Sequence, residues 1–330
     1  MPSSSVPAAV AAGTRPRRDT GPLRAVPVPV LFGCGLITVQ IGAGLAGRMF
    51  GEVSAAGMTG LRLWAAALLM IGFGARATVA AVRGIVTGRS WRDAAVVVGF
   101  GLSLGVMNFS IYQSFARIPL GIAVTIEFLG PLAVAVASSR RLIDLLWVAL
   151  AGTGVALLGL SGGSLAVAGA AGSADRAGHS SVVVAGVIFG LVAAASWACY
   201  ILLSASTGRR FSGSSGLVIA MIVAALIVTP AAVLSAGSVL LRPSVLAAGL
   251  AIGLLSSVIP YRFELETLRR VPPRVFGIWM SLEPAIAALV GLVLLGQALT
   301  WRQWLAISCV IIASAGAALG VSRSATAPQA

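Results

Sequence analysis

RIPLGIAVTIEFLGPLAVAVA, residues 117–137, and RVPPRVFGIWMSLEPAIAALV, residues 270–290, are the stretches that decide the fold. Each opens with an arginine and then a proline, Pro119 and Pro272. Each carries a second proline twelve residues on, Pro131 and Pro284, so the offset is 153 both times. Each also carries one carboxylate among mostly apolar residues, Glu127 and Glu283. The carboxylates are not equivalent by that offset: Glu127 aligns with Met280 and Glu283 with Gly130. One element has been used twice, and its charge placed differently each time.

The surroundings say what kind of element it is. The chain has 330 residues, of which 58% are hydrophobic and 10% charged, and its mean hydropathy is +1.01. Soluble domains carry about 25% charged residues, so this chain lacks the polar surface for a water-soluble globule. Its apolar blocks run to about 17–25 residues, the span of a bilayer core. The reading is an all-α membrane protein with ten transmembrane helices. They fall at roughly 28–47, 58–75, 94–115, 120–138, 142–160, 182–204, 216–236, 245–267, 275–295 and 303–321.

The net charge of +14 comes from arginines in the connections. They form no basic face with interleaved aromatics, so nucleic acid is not expected as a partner and the charge sets topology instead. Sixteen of the 23 basic residues fall in the N-terminal tail, the C-terminal end and the even-numbered connections, and five in the others. That bias puts both termini in the cytoplasm. Arg62 and Arg262 fall inside spans; Arg62, near the outer end of its own, is read as snorkelling to the interface. Cys34, Cys199 and Cys309 lie in apolar blocks without metal spacing and read as reduced packing residues. His179, the only histidine, is placed in a polar loop, and no metal or cofactor is expected.

The two proline segments are the fourth and ninth spans, so each half holds five. An odd number inverts the second half in the membrane. The domains expected are a cytoplasmic tail over 1–26, a first repeat over 27–160, a periplasmic linker over 161–181, a second repeat over 182–321 and a cytoplasmic tail over 322–330. Inverted repeats of this kind belong to alternating-access transporters, with the substrate site near the midplane.

Polar groups at depth are the candidates for that site, since ionisable side chains in the bilayer are expensive and face the interior. Glu127 and Glu283 each lie about 12 Å from the face their span enters by, at 1.5 Å per residue. Such a carboxylate can exchange a proton, hold a substrate ammonium, or make a structural hydrogen bond. Gln40 sits near mid-depth in the first span. Asn108 and Tyr112 share a face of the third, one turn apart, as site ligands or interhelical glue. Trp197 and Tyr200 on the sixth span line a cavity or belong to an aromatic belt. Pro260 can turn Tyr261 inward, and Glu266 can pair with Arg262 or Arg270 at i,i+4 spacing. GLSLG (101–105) and GLSGG (159–163) match a hydrolase nucleophile pattern, but that needs a strand-to-helix elbow and a histidine partner. Gly101–Gly105, Gly249–Gly253 and Gly316–Gly320 read as close helix packing. No Walker A sequence is present, and no enzyme activity is expected.

Several of these runs resemble the EamA branch of the drug/metabolite transporter superfamily. They are VQIGAGLAG (39–47), the asparagine-bearing third span, Pro-Leu-Gly-Ile-Ala-Val (119–124), Glu-Phe-Leu-Gly-Pro (127–131) and Ser-Leu-Glu-Pro (281–284). Within that branch the resemblance is strongest to threonine and homoserine exporters of enteric bacteria, and it covers about residues 28–321. It implies two inverted five-helix repeats around a central cavity, and export of a small metabolite such as an amino acid by proton antiport. It places Gln40, Asn108, Tyr112, Glu127, Tyr261 and Glu283 on matching positions. One departure is Gln297, where the family more often has glutamate; its loss alters gating or only a cap. The expected location is the bacterial cytoplasmic membrane, with substrate, protons and lipid as partners. The rival readings are drug or other metabolite efflux or uptake on the same fold, and a non-transporting scaffold or sensor.

Overall fold

A computed structural model of the chain describes residues 26–86, 91–137, 143–159, 176–211 and 215–325. The expected N-terminal tail to residue 25, most of the 161–181 linker and residues 326–330 lie outside the described residues, as does GLSGG beyond Gly159. Thirteen α-helices follow in order: α1 Val28–Met49, α2 Ala55–Val86, α3 Trp91–Phe115, α4 Leu120–Glu127, α5 Leu129–Ala137, α6 Ile143–Gly159, α7 Arg176–Arg210, α8 Ser215–Ala236, α9 Pro243–Gly253, α10 Ile259–Leu268, α11 Pro273–Met280, α12 Glu283–Leu295 and α13 Trp301–Ala325. Among the described residues nine helical stretches are long and apolar enough to cross a membrane, and a tenth, Leu145–Leu158, is shorter. These ten match the ten expected spans one for one.

Some ends differ. Helix α7 begins at Arg176, so His179 stands in its first turn and not in a loop. Helix α2 runs to Val86, though only Ala55–Gly72 is a membrane-spanning stretch. The rest is rich in alanine, valine and arginine and has no proline to stop it.

Three spans are broken, each at a proline. Pro131 has no N–H to offer the Glu127 carbonyl four residues back, and α4 ends there. Pro284 does the same to Met280, where α11 ends. The first break turns at Phe128 alone (φ −64°, ψ −14°), the second at Ser281 (φ −63°, ψ −12°) and Leu282 (φ −78°, ψ −11°). In each case eight helical residues separate the opening proline from that turn. Pro260 frees the Ser256 carbonyl, and Leu254–Val258 widens into a π-helical turn between α9 and α10, with Ile259 N–H reaching back to Leu254.

The helices pack through small residues, as expected where lipid offers no hydrophobic drive for association. A Cβ on Gly101 would stand 2.5 Å from Val223, and one on Gly105 3.1 Å from Ala224, so α3 lies directly on α8. Gly249 and Gly253 bring α9 onto Leu61 and Ala65 of α2, and Gly316 receives the Trp147 ring of α6. Gly101, Gly105, Gly249, Gly253 and Gly316 therefore act as the spacing implied; the side of Gly320 is not described.

Helix α1 packs on α9–α10, α3 on α7 and α8, α2 on α8 and α9, α4 on α12, and α6 on α13. Under a shift of five spans these pairings map onto one another, which is compatible with an internal repeat. Large apolar residues such as Leu68, Leu145, Leu234 and Val293 are exposed on the outside, as a lipid-facing surface requires. Cys34 and Cys199 are exposed and Cys309 half-buried, all free. Two of the three therefore do not pack the interior.

Candidate functional site

The break in α4–α5 puts Glu127 at the end of a helix whose eight residues are all buried. No hydrogen bond or ion pair holds its carboxylate among the described residues, but Glu283 and Arg62 are within electrostatic reach. The break in α11–α12 puts Glu283 on the first turn of α12, where a carboxylate suits the helix N-terminus. Gln40 Nε2 of α1 donates to Glu283 Oε1 at 3.0 Å. Gln40 is 2% exposed. A Cβ on Gly42 would stand 2.8 Å from Ser256, so α1 lies directly on the π turn.

Opposite this negative pole stands Arg62. It does not snorkel. Its side chain is buried, Nη1 donates to Ser256 Oγ at 3.0 Å, and the guanidinium carbon lies 5.0 Å from the centre of the Tyr112 ring. Its place follows from Gly253. A Cβ there would meet Ala65 at 2.8 Å and the Arg62 carbonyl at 3.1 Å, so α9 presses on α2 and delivers the π turn to the guanidinium. The Ser256 hydroxyl gives its own proton to Ile252 O at 2.6 Å and accepts from arginine with a lone pair. Tyr112 is buried against Phe50 and Phe115, at 6.1 and 5.5 Å between ring centres.

Four buried polar atoms in this group have no partner: Gln40 Oε1, Arg62 Nε, Tyr112 Oη and Glu283 Oε2. Buried polar groups are nearly always satisfied, so a cluster of orphans on interacting side chains marks a place for a polar ligand. Donor and acceptor types are both present, and so are both signs of charge.

Of the expected residues, Gln40, Tyr112, Glu127 and Glu283 meet in this group. Asn108 is buried, but its Nδ2 donates to Leu104 O of its own helix at 2.7 Å. Trp197 sets its ring perpendicular to Phe128 at 5.3 Å, bracing the turn beside Glu127. Tyr200 packs its ring at a tilt against Phe100, 5.1 Å between centres, and is in electrostatic reach of Tyr261 and Glu264. Tyr200 on α7 with Tyr261 and Glu264 on α10, the last also in reach of Glu283, extends the polar group along α10. Glu266 pairs with Arg270 and, at 3.5 Å, with Arg269. Arg62 and Ser256 were not among the expected site residues. The usable signal for Ser256 was its position four before Pro260; for Arg62 there was only its charge inside a span.

At the other end of the site, α12 closes on Gly296, whose φ of 65° is the left-handed value glycine adopts freely. Gln297 N–H returns to Gly291 O at 3.0 Å and Gly296 N–H to Leu292 O at 3.1 Å, so the left-handed residue folds the chain back over the last turn of α12. The turn aims Gln297 Oε1 at Leu120 N, 2.9 Å away, so this residue caps the first turn of α4. In the connection just before α4, Arg117 donates to Gln113, and partial burial draws its pKa below the ordinary guanidinium value.

Residues 184–319 match the EamA-like transporter family. Over 304 residues the chain is 37% identical to the threonine/homoserine exporter RhtA of Salmonella typhimurium (strain SL1344), covering 90% of this chain and 93% of that one. Over 312 residues it is 38% identical to the threonine/homoserine exporter RhtA of Escherichia coli (strain K12), covering 92% and 96%. A solved crystal structure, 19% identical, superposes with a TM-score of 0.53 over 91% of this chain and 99% of that one, and shares its fold. With two broken spans built alike, a mixed-charge polar group between them and relatives matched along nearly their whole length, this multi-pass membrane protein belongs to the EamA-like transporter family.

Proposed function

We propose that the protein exports a small zwitterionic metabolite, threonine or homoserine first of all, by proton antiport with alternating access. The observation that carries this reading is the meeting of opposite charges: Glu127 lies within electrostatic reach both of the buried Arg62 and of Glu283, which Gln40 holds. A zwitterion offers the complementary pair. The exporters that resemble this chain along its length support the choice of substrate.

Antiport follows from competition. A proton and a substrate ammonium are both cations, and both suit the same buried carboxylates. Two carboxylates near each other in a medium of low dielectric repel, so one cation relieves the other's task and displaces it. Proton entry from outside then releases substrate, and substrate entry from inside releases the proton. The paired helix breaks supply elements around which two five-helix repeats can rock. In this reading the chain lies in the bacterial cytoplasmic membrane with both termini inside, as the arginine bias directs.

The test is uptake of labelled threonine and homoserine into proteoliposomes whose interior is made acid. Accumulation above equilibrium that collapses with a protonophore is expected. No uptake of either by folded protein would move the substrate elsewhere and overturn this reading.

A further inference from the structure

We propose that Arg62 is the carboxylate-binding residue of the transport site. The substrate is then held by both ends: its carboxylate on Arg62, with Tyr112 and Ser256 beside it, and its ammonium on Glu283 and Glu127. This deepens the export reading above and rests on it.

Three observations carry the assignment. Arg62 is buried, at 7% exposure, on a span where an arginine side chain has the length to reach the interface. Among the described residues no carboxylate comes within 4.0 Å of its guanidinium, so it is a buried cation without an ion-pair partner. A charge kept at that depth without a contacting counter-ion is among the most costly features a membrane protein can keep. Finally, its surroundings orient the group without neutralising it. Ser256 holds Nη1, the Tyr112 ring faces the guanidinium, and Nε and Tyr112 Oη have no partner.

What this arrangement lacks is an anion. A guanidinium offers parallel N–H groups in a fixed fork that matches the two oxygens of a carboxylate. The Tyr112 hydroxyl, set beside Arg62 and Ser256, adds one more donor. Glu127 is the nearest internal candidate, yet it stops short of an ion pair, and its charge faces Glu283 as well. A ligand carrying a carboxylate at one end and an ammonium at the other would complete both poles at once. A purely structural arginine would help hold α2 to the π turn but would read nothing of the substrate.

The experiment is competition against labelled threonine uptake in proteoliposomes by threonine and by threoninol, in which a hydroxymethyl group replaces the carboxylate. The wild type should favour threonine at least about tenfold, as loss of a charge-assisted bond implies. In Arg62→Gln, threonine should weaken to the level of threoninol, while threoninol competes as before. Arg62→Lys keeps the charge without the fork and should fall between; it carries the test if the glutamine variant does not fold. Equal competition by the two compounds in the wild type overturns the assignment with no variant needed, and so does an unchanged ratio in the folded variants. Failure of the wild type to transport threonine or homoserine is a separate result, which sinks the export reading and this one with it.

Discussion

The two helix breaks have the same backbone and different chemistry. From Pro119 to Phe128 and from Pro272 to Ser281 the dihedral angles at the ends agree to within a few degrees, and the helices between have the same length. Yet α4 is buried along all eight residues, whereas those of α11 whose side chains are described are half-buried. The carboxylates fall on opposite sides of the turn, Glu127 last in α4 and Glu283 first in α12. Even the first N–H differs. Leu120 has one and needs Gln297 to accept it, while the equivalent residue, Pro273, has none to satisfy. A repeated backbone therefore supplies two similar joints, and single-copy side chains make one a tightly packed wall and the other a more open one.

The largest effect expected from this contrast is on folding. A Cβ on Gly130 would stand 2.2 Å from the Ala194 carbonyl oxygen, a backbone atom that cannot turn aside. Gly130→Ala should cost about 1–3 kcal/mol by overpacking and lower Tm clearly in detergent. Gly277 in the other joint meets nothing closer than Ala318 at 3.5 Å, and Gly277→Ala should leave Tm unchanged or raise it, since alanine is the better helix former. Equal losses in thermal unfolding would erase the distinction between the joints. A smaller effect is expected at the cap. Gln297→Ala leaves Leu120 N–H without its acceptor and should cost about 1 kcal/mol, while Gln297→Glu, which keeps an acceptor there, should restore the wild-type Tm. If both variants melt like the wild type, Gln297 caps nothing that matters.

Much of this architecture is legible in the amino-acid sequence. Prolines at a fixed offset locate both breaks, because a missing N–H acts wherever it falls, and glycine spacing locates the close contacts. Gln40, Tyr112, Glu127 and Glu283 stand out as polar groups where lipid forbids them. Arg62 does not. Counting residues from the helix end places it within reach of the interface, and only the approach of α9 over Gly253 shows that it turns inward. Asn108 is the converse case: it has the expected depth and face, but Leu104 of its own helix holds its amide. Depth can be counted along one helix, whereas the direction of a long side chain is decided by which helix packs beside it.

The measurement that bears most directly on the central claim separates coupling from carriage in Glu127→Gln. Counterflow exchange of labelled threonine needs substrate binding and alternation of the site but no net proton movement. Accumulation driven by an acid interior needs both. With Gln in place of Glu127, counterflow should persist at reduced affinity while gradient-driven accumulation disappears. Full gradient-driven accumulation by that variant would contradict the account, because the carboxylate would then carry neither the proton nor its exchange for substrate.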